Sequence, residues 1–461
     1  MRTPAPTLLA AALLAVLLAA CKTELVCATG QAECGGRCVS LALDSANCGA
    51  CGNACGAGTV CSAGTCSACA ATCTSTRGCA GEVCQPDLFV GCPATSELLP
   101  RAADLTPAGS GRSVTAGLTA LTSADGFLFS ASGFPAAAVD IVPMDPAQAS
   151  RRVALAGSDL EGIAVHGGVT FVSNAATGTL AFLGAGGALL DELPLPGQQS
   201  GPNPHGITFV GSKAYVALTG YGPGSGQAIA VVDLAGLSAC SAEAAPPACG
   251  AGDTCDPGRH CVAGACRLPC ASVSGSIDLS GVAGSSDAPG LPFPGRLLSV
   301  GTKVYATLAN LKIPAGGSFY MEPAGSGRLA VVDTAAGDAV SIVDLGASCG
   351  NPGNLALQGT TLWVSCGSFG YSAAWPGRLV PVSIAGAPAV GSAVSTGDVL
   401  PNGISICGGR AYLGDMASGK VLPFDLAARA AGTAVEVCPL NAPPGPPDFG
   451  YAYVADVACA P

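Results

Sequence analysis

The sequence predicts an all-β chain, a six- or seven-bladed β-propeller carrying small disulfide-rich modules. Three observations lead there. A four-strand unit of 40 to 60 residues recurs from about residue 112 onward. Glycine (66) and proline (35) punctuate it, while charged residues make up only 11%, which suits short strands and tight turns better than solvated helices. Twenty-five cysteines cluster in three groups, the mark of covalent cross-linking in an oxidising compartment.

The chain begins with Arg2, then 13 small and apolar residues from Leu8 to Ala20. This is a positive n-region followed by an h-region too short to span a bilayer. The run closes on Leu18-Ala19-Ala20-Cys21, which resembles the lipobox of bacterial lipoproteins. The resemblance implies cleavage before Cys21 and acylation of its thiol and new amine. Lys22 in place of Asp implies, by the same analogy, sorting to the outer membrane or cell surface. Residues 1–20 are thus expected to be a signal peptide and Cys21 the lipid attachment.

Residues 21–92 read as disulfide modules. Removing Cys21 leaves 24 cysteines: 13 from Cys27 to Cys92, six from Cys240 to Cys270, and five from Cys349 to Cys459. If the middle six pair among themselves, the odd outer groups must share at least one bridge. The piece CGGRCVSLALDSANCGACGNAC resembles the stigma-specific-protein-like cysteine module of secreted proteins. A smaller pattern, C-x5-C-x4-C, occurs at Cys55-Cys61-Cys66, Cys73-Cys79-Cys84 and Cys255-Cys261-Cys266. Two C-x2-C pairs, Cys48/Cys51 and Cys66/Cys69, have zinc-like spacing. Cysteines this dense in an exported chain favour disulfides.

Residues 93–461 are read as the propeller, with a cysteine-rich insertion at 238–272. The first strand of each unit enters from a turn: LEGIAVHGG, PHGITFVGS, PGRLLSVGT, GNLALQGT and PNGISICGG. The second carries an aromatic after a glycine: GGVTFVS, GSKAYVA, GTKVYAT, GTTLWVS and GGRAYLG. A third opens with glycine, as in GQAIAVVD and GRLAVVD, and a fourth is more variable. The register resembles the NHL, YVTN-type and gluconolactonase-like propellers. Five units run from Glu161 to Leu440, and a sixth containing GFLFSAS precedes them. The tail FGYAYVADVACA is left to join residues from 84–110 in a closing blade, with a bridge from Cys84 or Cys92 to Cys459 fastening it. Cys349 and Cys366 fall at the same end of one blade and form a candidate disulfide.

Candidate site residues follow from this topology. First-strand starts and second-strand ends share one face, as do the loops joining second to third strands. Those loops are unequal, from Phe171–Gly178 to Tyr305–Gly327, and carry Tyr221, Tyr320, Tyr371 and Trp375 as candidate contacts. At the axial end of the first strands stand Glu161, His205 and Asn402, with Gly295 and Gly353 in other units. Asn402 matches the axial metal-binding asparagine of gluconolactonase-like propellers and Glu161 an equivalent place. The axial aspartate that this family also needs has only Asp448 to match it, in a poor context.

A net charge of -11 argues against nucleic acid. The single G-x-S-x-G, Gly346 to Gly350, leads into a strand and not the helix a nucleophile elbow requires. Of three histidines, His166 and His260 are expected at the surface and His205 at the axis. No cofactor motif stands out, and no cofactor or resident metal is expected. The reading is a lipid-anchored binding scaffold at the cell envelope, partnered by the membrane through its lipid and by a protein or glycan at the cell surface. The alternatives are a divalent-metal lactonase-like hydrolase and a structural envelope or matrix protein.

Overall fold

A computed structural model describes residues 85–460 except 134, 146–147, 198–202, 221–226, 244, 283–290, 313–321, 368–375 and 439–453. Before residue 85 it describes 32–34, 37–39, 41, 47–55, 59–62, 64–68, 79–80 and 83–84. The chain divides into two compact units, Met1–Gln85 and Pro86–Pro461. Among the described residues no helix is long and apolar enough to cross a membrane.

The larger unit is a seven-bladed β-propeller of antiparallel sheets. Numbered in chain order, the first strands of blades 1 to 6 are Leu118–Ala124, Leu160–His166, Pro204–Val210, Pro294–Val300, Pro352–Gln358 and Pro401–Cys407. Each pairs with a second strand, and a third and outer strand follow, the outer one split in blades 5 and 6. Blade 7 takes its inner strand from the chain end, Val457–Cys459, which pairs with Leu88–Cys92, then Glu97–Arg101 and Arg112–Ser113. Leu88–Cys92 therefore belongs to the propeller and not to the cysteine-rich segment, because it is hydrogen-bonded on both edges.

The second-strand aromatics form the seams. Tyr215 packs on Val304 and Val332 of blade 4, Tyr305 on Leu362 and Val380 of blade 5, and Trp363 on Leu413 and Phe424 of blade 6. A blade is two-sided, so both faces of its strands are apolar and nearly every second-strand residue is buried. The inner strands leave one edge facing the axis, and neighbouring hydroxyls satisfy part of it. Ser173 Oγ donates to the His205 carbonyl at 2.7 Å, Thr219 Oγ1 to that of Pro294 at 2.7 Å, and Ser123 Oγ to that of Cys459 at 2.8 Å.

Closure is covalent as well. Cys92 is bridged to Cys438 across 346 residues, so a bond does join the N-terminal and C-terminal cysteine groups. Cys459, expected to pair with Cys84 or Cys92, pairs with Cys407 instead. It ends the innermost strand of blade 7, whose neighbour at that level is the end of blade 6's innermost strand. Cys349 and Cys366 are bridged within blade 5.

The insertion lies between the third and outer strands of blade 3, Ala228–Asp233 and Ser272–Asp278. Its six cysteines pair among themselves: Cys240–Cys270, Cys249–Cys261 and Cys255–Cys266. His260 is not a free surface residue. Its Nε2 meets Asp191 Oδ1 at 2.6 Å, and Asp191 Oδ2 accepts from the Cys270 amide at 2.7 Å. His166 lies against the ring of Phe209, with centroids 4.4 Å apart. In the smaller unit Cys34–Cys51, Cys48–Cys61 and Cys55–Cys66 are bridged. The sulfur groups with metal-like proximity, Cys48/Cys55/Cys66 and Cys249/Cys255/Cys266, are cystine sulfurs, which lack the thiolates zinc requires.

Candidate axial site

Six inner strands open with a bulge, where the register slips between the first residue and the third or fourth. The bulge falls at positions two and three of these strands, where the larger side chain alternates between the two places. There the strands carry Thr119-Ala120, Glu161-Gly162, His205-Gly206, Gly295-Arg296, Gly353-Asn354, Asn402-Gly403 and, in blade 7, Ala455-Asp456. Each pair holds one larger side chain and one small residue. Space explains the alternation. A Cβ on Gly162 would collide with the His205 carbonyl oxygen, one on Gly206 with the Gly295 carbonyl, and one on Gly403 with the Asp456 carboxylate.

Four ionisable side chains gather here, joined by Asp159 two residues before Glu161. Glu161 Oε2 and His205 Nδ1, on adjacent blades, are 3.8 Å apart, with side chains 28% and 25% exposed. The Asp159 and Glu161 carboxyls are near enough for each to shift the other's titration. Arg296 of blade 4 reaches Asp456 of blade 7 at 3.8 Å. Three blades is the widest separation a ring of seven allows, so this pair crosses the channel. The Asp456 carboxylate also accepts from the amides of Val457 at 2.9 Å and Leu121 at 3.4 Å. Further along the same strands lies a cavity of about 320 Å³ lined by Leu121, Leu355, Ile404 and Val457.

Enclosure governs the electrostatics. Burial, then the neighbouring Glu161 carboxyl, pushes the Asp159 carboxyl up to about 7. Burial also raises Glu161 and Asp456, and the Arg296 charge opposes both shifts. His205 is lowered to about 4, first by burial and then by Arg296, so it is neutral at pH 7. Its Nε2 is buried with no hydrogen-bond partner, as are both side-chain atoms of Asn203, a residue 3% exposed.

Of the residues singled out from sequence, Glu161 and His205 come together at the axis. Asn402 holds the second position of its strand, Pro401–Cys407. Tyr221, Tyr320, Tyr371, Trp375 and Asp448 lie outside the described residues, as does Cys21. Sequence reasoning missed Asp159, Arg296 and Asp456. The signal was present in PGRLLS and YVADVACA, where the charged residue follows the small one instead of preceding it.

The divalent metal implied by the gluconolactonase resemblance does not fit well. Among the described residues, the only sets of three His, Cys, Asp or Glu ligand atoms within mutual reach are the cystine sulfurs. A hard divalent cation needs several converging oxygens.

Residues 18–69 match the model of the Stigma-specific STIG1-like protein family, a small part of the chain. No curated protein matches the sequence. Among solved structures, a candidate 6-phosphogluconolactonase from Bacteroides fragilis is 15% identical with a TM-score of 0.52, over 76% of this chain and 95% of that one. Another from Bacteroides uniformis is 13% identical with a TM-score of 0.51, over 76% and 97%. At such identity the likeness shows the fold alone. The chain thus joins a stigma-specific-type cysteine module to a seven-bladed propeller whose axis gathers partly buried charge.

Proposed function

We propose that this protein is an exported binding scaffold that takes its ligand at the axial mouth of the propeller and is held at the cell envelope through Cys21. The observation that carries the binding reading is the gathering of Asp159, Glu161, His205, Arg296 and Asp456 around one end of the channel. Burying charge costs free energy unless something compensates, and seams of aromatic and aliphatic side chains already hold the ring. Twelve bridges' worth of cysteine, 24 without Cys21, supports an oxidising location outside the cytoplasm.

The binding reading is tested by cross-linking on intact cells, comparing the natural chain with one carrying both Glu161→Gln and Arg296→Ala. Capture of a partner or ligand by the first and not by the second is expected. Equal capture would remove the axis from the account. Anchoring is tested by metabolic labelling with palmitate, which Cys21→Ser should abolish; retained label would defeat it.

A lactonase-like hydrolase is the second reading, supported by the two Bacteroides propellers and by the Asp159 carboxyl, raised to about 7, the range useful for general acid–base work. Hydrolysis of a sugar lactone that disappears in Glu161→Gln would establish it over plain binding.

A further inference from the structure

We propose that the outer edge of blade 4, Ala339–Asp344, docks an extended polypeptide segment that adds to the sheet as a further strand. The segment carries a lysine or arginine at each end and aliphatic side chains between. This site stands apart from the axial mouth and does not depend on the reading given for it.

The edges of the seven blades supply the first argument. An outer strand presents a row of unpaired N–H and C=O groups, and folded chains blunt such edges with charge, proline, bulges, shortness or cover. Blade 1 ends in Arg151-Arg152-Val153-Ala154. Blade 2 ends in Leu189–Pro194, which holds Asp191, Glu192 and Pro194, pairs through a bulge and is tied to the knot. Blade 3 ends in Ser272–Asp278, which also pairs through a bulge and holds Gly275. The outer strands of blades 5 and 6 are split into two-residue pieces, and that of blade 7 has two residues. Blade 4 has none of these guards before Asp344. Its Ala-Val-Ser-Ile-Val-Asp run lies in unbroken register along Arg328–Asp333.

The groups on that edge supply the second. The Leu345 amide donates to the Gly327 carbonyl at 3.0 Å. By antiparallel alternation Val343, Ser341 and Ala339 then bond inward, while Val340, Ile342 and Asp344 turn their N–H and C=O outward. Val340 and Ile342 are each 37% exposed, two of the four large apolar residues exposed among those described. They stand opposite Val332 and Ala330, which share a core with Tyr215, Ile229 and Val231 of blade 3, so they face that blade. On the same side a cavity of about 320 Å³ lies between blade 3's outer strand and the turn that opens blade 4's, lined by Lys213, Ser274, Ile277, Gly337 and Asp338.

Charge selects the occupant. Asp338 and Asp344 frame the strand, about 20 Å apart along it. Asp338 accepts from the Tyr215 hydroxyl at 3.0 Å, and Asp344 from the Ser326 hydroxyl at 2.7 Å and the Gly346 amide at 2.8 Å. Among the described residues neither is in an ion pair; Lys303 is paired with Asp333 at 3.6 Å, and Arg328 donates to the Val282 carbonyl. A second copy laid edge to edge would set its own two aspartates against these, like charge on like. The chain supplies no such segment from outside the described residues either. After residue 85 those stretches hold no lysine or arginine, and before it Arg2, Lys22, Arg37 and Arg77 are all spaced too widely to meet both aspartates from one strand. The occupant is therefore a foreign segment whose cations meet Asp338 and Asp344 and whose aliphatic side chains lie on Val340 and Ile342.

Fluorescence anisotropy of labelled peptides with the full chain tests this. In antiparallel pairing KTVTVTK sets its valines opposite Val340 and Ile342 and its lysines opposite Asp338 and Asp344, and it should bind. ETVTVTE should bind roughly tenfold more weakly. KTVTVTK N-methylated at both valines loses the donors that pair with the edge, and should also weaken by roughly tenfold. Ile342→Lys, a guard of the kind other edges carry, should abolish binding while the thermal midpoint holds. Val340→Lys replaces it where that midpoint falls, and the peptide series needs no variant at all. Equal binding of the N-methylated peptide, ETVTVTE binding as well as KTVTVTK, or no binding of KTVTVTK would each overturn the proposal. So would a dimer in sedimentation equilibrium that Ile342→Lys dissolves, because the edge would then belong to a second copy.

Discussion

Two stretches of this chain share one cysteine pattern in different settings. Cys48 to Cys66, leaving aside Cys51, which is bridged to Cys34, and Cys249 to Cys266 each cross two bridges, first cysteine to third and second to fourth. In each, the last two cysteines face one another in a hairpin, Cys61 against Cys66 and Cys261 against Cys266. The first copy belongs to a unit with few buried apolar side chains among its described residues. The second is built into blade 3, where Cys240, Cys270, Leu237 and Leu268 join a core with Phe182, Leu190 and Phe209. Asp191, from the outer strand of blade 2, ties it down through His260 and the Cys270 amide. Crossed sulfur bridges close the knot in both places. Docking is a separate matter, supplied by apolar residues and one buried carboxylate outside the crossed pairs.

Removing sulfur from the ring and from the knot should give the largest contrast. Cys92–Cys438 closes a 346-residue loop, and loop-closure scaling allows such a bridge up to about 5 kcal/mol. The double variant Cys92→Ala, Cys438→Ala should lower the main calorimetric transition by up to about 6 °C. The Cys255–Cys266 bridge closes only an 11-residue loop, so its removal should leave the ring's transition within about a degree while exchange protection is lost at residues 260–267. Similar shifts from both would mean that ring and knot unfold as one body.

A smaller effect is expected from Asp191→Ala, which leaves the Cys270 amide and His260 without their acceptor in a buried place. Leaving the buried amide unsatisfied costs about 1–3 kcal/mol. The loss should appear as faster hydrogen exchange in the insertion, with both crossed bridges intact by peptide mapping. Residues 59–68 of the first copy serve as the internal reference and should exchange as before. Unchanged protection at 260–267 would show that the apolar contacts dock the knot unaided.

The fold was largely legible in the sequence because its signals are local. Glycine turns, period-two alternation and an aromatic in each second strand repeat in every unit, so the blade follows from any one copy. The tail around Val457 was recognisable as a spare strand, which led to a closing blade. Disulfide partners were less legible, since Cys459 chooses by its neighbour in space, and that neighbour is the end of an adjacent strand. The axial site was half visible. Glu161 and His205 precede glycine in x-G-I, a pattern that repeats. Arg296 and Asp456 are offset by one residue from that pattern. Asp159 lies before its strand begins, where no repeat marks it.

The smallest expected effect separates axis from knot by pH. Asp159 holds its proton in the folded chain up to about 7 and releases it near 4 when unfolded, so its contribution to stability declines as pH rises through that window. His205 does the opposite. Its folded form has shed its proton by about 4, whereas the unfolded imidazole keeps one to about 6.5, so its contribution is lost as pH falls from 6.5 to 4. In the natural chain the two slopes largely oppose one another, with Glu161 and Asp456, also held upward, adding to the decline. His205→Gln should therefore steepen the fall in thermal midpoint between pH 4.5 and 7, while Asp159→Asn should flatten or reverse it. The knot's exchange protection should be the same in all three proteins at each pH, because the substituted groups line the channel and leave the docking contacts of Asp191 in place. Parallel midpoint curves for the three would mean that the axial groups titrate as they do in water, and the enclosure of the charge cluster would have to be abandoned.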